Sequence, residues 1–192
     1  ANPEGGDYSV TPMDGAMLTR MLHTTLKFDA KIWAEWAYSA GVDERGISFV
    51  LTYPELVNSE RTTPRSLTQF FEQIASIEDL KGNLQLVEAL ALSSLDEVTV
   101  SSFIAFVNDE LTQLIDPEEI LDAEDFKSIS KKIKDISVDD SGAKRVDRLS
   151  TMCSRLYLKL TSEDYNPSKI LSENLVQFLL LDTIPNDLLM SL

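Results

Sequence analysis

Helix start and stop signals recur along almost the whole chain from Asp29 onward. Asp29 and Asp43 stand where a carboxylate can accept hydrogen bonds from the free N–H groups of a first helical turn. Gly41 suits the end of the first of these helices, and Pro54 ends the second. Apolar residues recur at helical spacing between these signals. These start and stop signals therefore favour a series of short helices separated by short breaks.

Two proline steps mark further helix starts. Thr63-Pro64 and Asp116-Pro117 each place a capping residue before a proline at the first helical position. The helix after Thr63 carries its large apolar residues on one side: Leu67, Phe70, Phe71 and Ile74. Further helices are predicted over 83–92, 100–114, 116–122, 125–136, 143–160 and 167–182, and from Pro185 onward. Nothing in the sequence indicates a sheet of several strands, so the predicted fold is mainly α, a helical bundle.

The first 28 residues differ in character from the rest. Glycine and proline are frequent in this stretch, as they are in loops. A short helix is predicted over 14–21, and a brief strand over 24–28 because Thr24 and Thr25 are β-branched. A natural division falls near Phe28, and a weaker one falls at 114–117. We therefore expect three units, at 1–28, 29–115 and 116–192.

The charge balance limits the partners of this chain. Lys and Arg total 17 against 32 Asp and Glu, which gives a formal net charge of −15. A polyanionic backbone is repelled by such a surface unless the few basic residues cluster. Nucleic-acid binding through this segment is therefore disfavoured.

Compartment and membrane signals are sparse. The one cysteine, Cys153, excludes an internal disulfide, and its place in the apolar pattern of a helix predicts a small core residue. The longest apolar runs, such as 175–184, are far shorter than the roughly 20 residues of a membrane-spanning helix. No signal peptide opens the chain. We expect no membrane span and a cytoplasmic location.

The common catalytic constellations are absent from the sequence. One histidine, His23, excludes a site built from several histidines, and a partly buried or surface position is the expectation for it. No G-x-x-x-x-G-K-[ST] loop is present to hold phosphates. The acidic pairs Glu118-Glu119 and Asp139-Asp140 suit solvated helix starts and loops. No metal ligands are predicted.

Three elements nevertheless follow one another in a specific order. The chain opens with Ala1-Asn2-Pro3, and the segment from Met13 to Met21 reads MDGAMLTRM. The helical region comes next and contains Thr63-Pro64-Arg65-Ser66-Leu67. This order resembles that of AAA+ ATPases, more closely the MoxR-like branch, over roughly residues 1–75. Met21 stands where phenylalanine is usual in that family, and everything that precedes the Asn-Pro step there is missing here.

The resemblance implies a role for three residues. Asn2 resembles the sensor 1 residue, whose amide orients the attacking water without adding charge; the alternative is a turn residue before proline. Arg20 resembles the arginine finger, which reaches the nucleotide of a neighbouring subunit; the alternative is an exposed arginine at a helix end. Arg65 resembles sensor 2, which the helical lid carries to the γ-phosphate; the alternative is a surface arginine. Its position in a first helical turn needs a reason, because the helix dipole there disfavours a cation.

The resemblance also implies an architecture and a function. Residues 1–28 would end the α/β nucleotide-binding core, 29–115 would form a helical lid with Trp33 and Trp36 in its core, and 116–192 would form a helical extension. The parent protein would bind ATP and Mg between subunits of a ring and remodel a client protein, whereas this segment alone would be inactive. The alternative is a stand-alone acidic helical adaptor without nucleotide chemistry. The adaptor predicts a natural start codon near Ala1 and no exposed apolar surface around Asn2, whereas the ATPase segment predicts the reverse, with residues 1–28 poorly packed.

Overall fold

The computed structural model of the protein describes residues 14–59, 61–139, 141–163 and 165–190. Over these ranges the structure is mainly α, as predicted, and its strand-like pairing is an isolated antiparallel bridge between Val138 and Lys144. The α-helices of these ranges are α1 (Gly15–Leu18), α2 (Ala30–Ser39), α3 (Glu44–Thr52), α4 (Pro64–Ile74), α5 (Leu84–Ser94), α6 (Glu97–Ala105), α7 (Pro117–Leu121), α8 (Phe126–Ile136), α9 (Val146–Thr161), α10 (Lys169–Leu179) and α11 (Asn186–Leu189).

The predicted start and stop signals of the first long helices are confirmed. The Asp29 carboxylate accepts from the backbone N–H of Lys31 at 2.9 Å and caps α2. Asp43 caps α3 in the same way, through the N–H of Arg45 at 2.9 Å. Gly41 between them has a φ of 74°, a left-handed conformation that glycine adopts without a steric penalty.

The start of α4 also follows the prediction. The Thr63 hydroxyl accepts from the N–H of Ser66, and the Ser66 hydroxyl accepts in return from the N–H of Thr63 at 2.9 Å. Pro64 occupies the first helical position, where no N–H is needed. The buried face of α4 consists of Leu67, Phe70, Phe71 and Ile74, the four residues predicted for it.

Three sequence predictions are wrong. The helix predicted from Val100 to Leu114 begins earlier and ends earlier: α6 spans Glu97–Ala105, because Asp96 caps it through the N–H of Thr99, and a π-helical turn follows at Phe106–Glu110. The strand predicted over 24–28 is absent, since residues 22–29 have no regular secondary structure and no described segment pairs with them. Trp33 is buried as expected, but Trp36 lies on the outer face of α2 and is exposed.

The first hydrophobic cluster is built on aromatic rings. It collects buried residues from Trp33 to Val107, together with Leu158 of α9. Phe103 lies at its centre, with ring centroids 5.1 Å from Phe49 and 5.0 Å from Phe70, both edge to face. Such edge-to-face pairs add to the free energy of burial. The rings therefore fix α3, α4 and α6 against one another.

The second hydrophobic cluster is mainly aliphatic. It runs from Ile115 to Ile184 and includes Phe178 and the predicted core residue Cys153. Burial raises the pKa of the Cys153 thiol to about 11, so the thiol stays protonated at neutral pH. The buried Asn174 of α10 donates from its amide to the carbonyls of Leu121 and Ala123, both at 2.9 Å, and so satisfies the end of α7.

Helix α9 joins the two clusters. Its residues Met152 and Leu156 belong to the second cluster, whereas Leu158 belongs to the first. The change from one cluster to the other along the chain falls between Val107 and Ile115, close to the predicted division at residue 115. The three-unit division of the chain stays a prediction.

Candidate functional site

The predicted site residues lie in two places, and one of them is outside the described residues. Asn2, the expected sensor 1 residue, belongs to the undescribed stretch 1–13. Arg20 lies in a turn directly after α1, where its backbone N–H donates to the carbonyl of Met17 at 3.1 Å. Its guanidinium is exposed and forms no hydrogen bond or ion pair with a described residue. Arg20 is therefore free to contact a group outside this chain.

The segment around Arg20 is held by local contacts. Asp14 caps α1 through the N–H of Ala16 at 3.2 Å, and the His23 ring nitrogen Nε2 lies 2.8 Å from the carbonyl oxygen of Leu18. The apolar side chains of Leu22 and Leu26 are 98% and 93% exposed. Packing against the first cluster begins only at Phe28. Residues 14–27 thus present an uncovered apolar surface next to Arg20.

Arg65 is the second residue of α4, in the first turn as predicted. Its side chain is exposed and, within the described ranges, has no hydrogen-bond or ion-pair partner. The helix dipole disfavours a cation at this end, by about 0.3–1 kcal/mol at the surface. A guanidinium placed there without any partner is unfavourable in the isolated chain, and an anion held in front of the helix would remove the penalty.

A polar network fixes the segment that leads into α4. Asp96 accepts hydrogen bonds from the hydroxyls of Ser59 and Thr62 while it caps α6 through the N–H of Thr99 at 2.9 Å. The Thr62 hydroxyl is buried and also lies 3.0 Å from that of Thr99. Burial raises the pKa of Asp96, but these hydrogen bonds together outweigh burial and hold the pKa well below its ordinary range.

Arg61 adds a second anchor to the same segment. Its guanidinium donates to the carbonyls of Leu92 and Ser93, each at 3.3 Å, at the end of α5. The segment before α4 is thus attached to the start of α6 through Asp96 and to the end of α5 through Arg61. Sequence reasoning missed both residues. Asp96 had a local signal, an acid directly before an acidic first turn, but its pairing with Thr62 spans 34 positions.

The structure does not join Arg20 to Arg65 through any contact. The two guanidiniums share no hydrogen-bond acceptor among the described residues. A phosphate group that touched both would have to come from outside the chain. No group of three or more His, Cys, Asp or Glu in the described part of the chain could hold a metal ion. Among the described helices, none combines the length and apolar character needed to cross a bilayer.

Comparison of the chain with protein-family models, with curated proteins and with solved structures gives no significant match. The function of the site must therefore be argued from its residues and their environment.

Proposed function

We propose that this chain is the lid and C-terminal region of a MoxR-like AAA+ ATPase, in which ATP binding and hydrolysis drive the remodelling of a partner protein. The observation that supports the proposal most strongly is the state of residues 14–27. Leu22 and Leu26 are almost fully exposed, and apolar segments of this kind are covered in a folded protein by a neighbouring element. The nucleotide-binding core of the parent protein would supply that cover.

The two arginines suit the roles proposed for them. Arg65 and Arg20 are exposed and unpartnered in the described part of the chain, so both guanidiniums are available to phosphate oxygens. ATP with Mg, bound to the parent protein, would supply the phosphoryl group that is transferred to water. Arg65 would contact the γ-phosphate of its own subunit from the lid, and Arg20 would stabilise charge on the phosphates of the neighbouring subunit. Asn2 would orient the attacking water.

The proposal extends to the assembly. A finger that acts on a neighbour requires subunits in contact, so the parent would form a ring. Movement of the lid relative to the core during hydrolysis would transmit force to the client protein. The location proposed is the cytoplasm, which agrees with the free, buried Cys153. This segment alone, without a phosphate loop, would not hydrolyse ATP.

The first experiment is to sequence the gene upstream of the Ala1 codon. The proposal expects an open reading frame of about 100–200 further residues that contains a G-x-x-x-x-G-K-[ST] loop. A start site directly before Ala1 would remove the basis for the roles of Asn2, Arg20 and Arg65.

The second experiment measures ATP hydrolysis by the full-length protein. We expect Arg20→Ala and Arg65→Ala each to lower kcat by about a thousandfold, because arginine fingers contribute on this scale. Lys27→Ala and Lys31→Ala are matched controls, since both lysines are exposed, follow Arg20 closely in the chain and carry no proposed role. Hydrolysis by the 192-residue chain alone that survives both arginine substitutions would rule out the proposal.

The alternative function is an acidic helical module that binds a partner protein without nucleotide chemistry. It is favoured by exposed apolar residues on one side of the C-terminal end of α10, Val176, Leu179 and the cap residue Leu180. Nucleotide binding by the full-length protein distinguishes the two functions, because only the ATPase requires it.

A further inference from the structure

A polar cleft of about 610 Å³ lies far along the chain from Arg20 and Arg65, in the second half of the molecule. Its walls are the turns after α6, the end of α8 and the start of α9. The residues that line it are Asn108, Asp109, Gln113, Asp135, Ile136, Val138, Asp139, Arg145 and Arg148. Part of one wall is the π-helical turn Phe106–Glu110, and such turns occur often at functional sites.

Arg148 lines this cleft, is buried, and has no side-chain partner among the residues that the structure describes. The residue is 8% exposed, and its Nε atom has no hydrogen-bond acceptor. Its guanidinium forms no ion pair or side-chain hydrogen bond with any residue of the chain that the structure describes. A buried charge without a partner is strongly unfavourable, so such a group calls for an anion.

The first turn of α9 carries an anion of its own, Asp147. Arg148 is the third residue of α9, a helix of 16 residues whose first turn has no side-chain cap. The cap position is held by Arg145, whose guanidinium is already engaged with Asp147 at 2.6 Å. The hydrogen bond from Arg145 lowers the pKa of Asp147, and the backbone N–H groups of Asp147 and Arg148 lower it further. Asp147 therefore already places a negative charge at the positive end of the helix dipole, and the case for an anion from outside rests on the buried Arg148 guanidinium.

Carboxylates also line the cleft. Asp139 is used locally, because its carboxylate accepts from the N–H groups of Ser141 and Ala143, both at 2.9 Å. Asp109 and Asp135 have no hydrogen-bond or ion-pair partner in the described ranges. The cleft thus offers one ligand a guanidinium and two carboxylates that have no partner in the described ranges.

We propose that this cleft binds a small zwitterion of the amino-acid type, with its carboxylate on Arg148 at the start of α9 and its ammonium group facing Asp109 and Asp135. A phosphate monoester fits less well, because its second negative charge meets the carboxylates and brings no cation to them. The cleft volume lies in the range of small-molecule sites, roughly 300–1,000 Å³. This site is independent of the nucleotide chemistry proposed above.

The test is a binding screen of the 192-residue chain with the 20 free L-amino acids, by ligand-observed NMR at concentrations up to about 10 mM. We expect at least one amino acid to bind. Its N-acetyl derivative, which lacks the ammonium charge, and its amide, which lacks the carboxylate, should each bind at least about tenfold more weakly. Inorganic phosphate is included and should not compete.

Two variants locate the binding. Arg148→Met should weaken binding at least about tenfold, and Asp135→Asn should weaken binding of the amino acid but not of its N-acetyl derivative. Lys144→Met is the matched control, because Lys144 is exposed and does not line the cleft. Far-ultraviolet circular dichroism shows whether each variant is folded. The proposal is overturned if no amino acid binds, if Arg148→Met binds as the parent chain does, or if phosphate displaces the amino acid.

Discussion

Arg155 and Arg148 lie about two turns apart on α9 and are buried to the same extent, each with 8% of its surface exposed. Their surroundings differ completely. Arg155 donates to Asp116 at 2.7 Å, to Glu44 at 3.4 Å and to the carbonyl of Ile115 at 3.3 Å. Arg148, at the start of the helix, has no such partner among the described residues.

The two arginines show which buried charges hold the fold together. Arg155 connects α9 to α3 through Glu44 and to the start of α7 through Asp116, at the junction of the two hydrophobic clusters. One turn later, Lys159 pairs with Glu118 at 2.6 Å and reinforces the same junction. The loss of hydration at Arg155 is thus offset by structural contacts. The same loss at Arg148 is offset by no contact in the part of the chain that the structure describes, and the proposed ligand would supply one.

The largest change in the free energy of unfolding is expected for Arg155→Met. Methionine keeps most of the buried volume but removes the hydrogen bonds to Asp116 and Glu44 and leaves the buried carbonyl of Ile115 without a donor. We expect the free energy of unfolding to fall by about 2 kcal/mol, since hydrogen bonds to charged groups contribute about 1.5–3 kcal/mol. Urea denaturation followed by circular dichroism measures the change. Glu44→Gln, which alters only the longest of the three contacts, should cost less.

The corresponding substitution Arg148→Met should raise the free energy of unfolding rather than lower it. It replaces a buried, unpaired guanidinium by an apolar side chain, and such replacements are often neutral or stabilising. We expect the free energy of unfolding to rise by about 1 kcal/mol in the absence of ligand. The two variants are compared in one urea series. A loss of stability at Arg148 similar to that at Arg155 would show that Arg148 has a structural role and would remove the contrast.

Whether a contact can be predicted from the sequence depends on how many positions separate the two residues that form it. The caps at Asp29, Asp43 and Thr63 were predictable, because the atoms that they join lie within three residues of one another. The buried face of α4 was predictable from helical periodicity alone. The pairing of Arg155 with Asp116 spans 39 positions and has no local signal, so it was not predictable.

The same limit applies to the candidate sites. Both arginines of α9 interrupt an otherwise apolar face in the same way, and the sequence cannot distinguish the partnered one from the unpartnered one. The predicted first-turn position of Arg65 is confirmed, because a Thr-Pro step fixes the helix start. The network that anchors this turn was missed, because it depends on the folding of Thr62 against Asp96.

A smaller loss of stability is expected when the hydrogen-bond network around Asp96 is altered. Asp96→Asn should lower the free energy of unfolding by about 1 kcal/mol at neutral pH, because the hydroxyls of Ser59 and Thr62 lose a charged hydrogen-bond acceptor. The hydrogen bonds at Asp96 lower its pKa in the folded chain. The charged carboxylate therefore contributes fully above its unfolded pKa of about 4, and this contribution is lost as the pH falls below that value.

The difference in stability between the parent chain and Asp96→Asn should accordingly shrink between about pH 5 and pH 2. Urea denaturation at several pH values measures it. Glu124→Gln, at an exposed position in the loop between α7 and α8, should show no such trend. A difference that stays constant with pH would mean that the amide replaces the carboxylate as a hydrogen-bond acceptor and that charge is unimportant here.

The smallest effect on stability is expected for Arg65→Ala and Arg20→Ala. Both side chains are exposed and without partners in the described chain, so their removal should change the free energy of unfolding by less than about 0.5 kcal/mol. Arg65→Ala should even be slightly stabilising, because it removes a cation from a helix start. Arg61→Ala, a few residues earlier, breaks the contacts to Leu92 and Ser93 and is the destabilising control. A clear loss of stability at Arg65 would assign it to the fold, and its unfavourable position at the helix start would then no longer point to a phosphate.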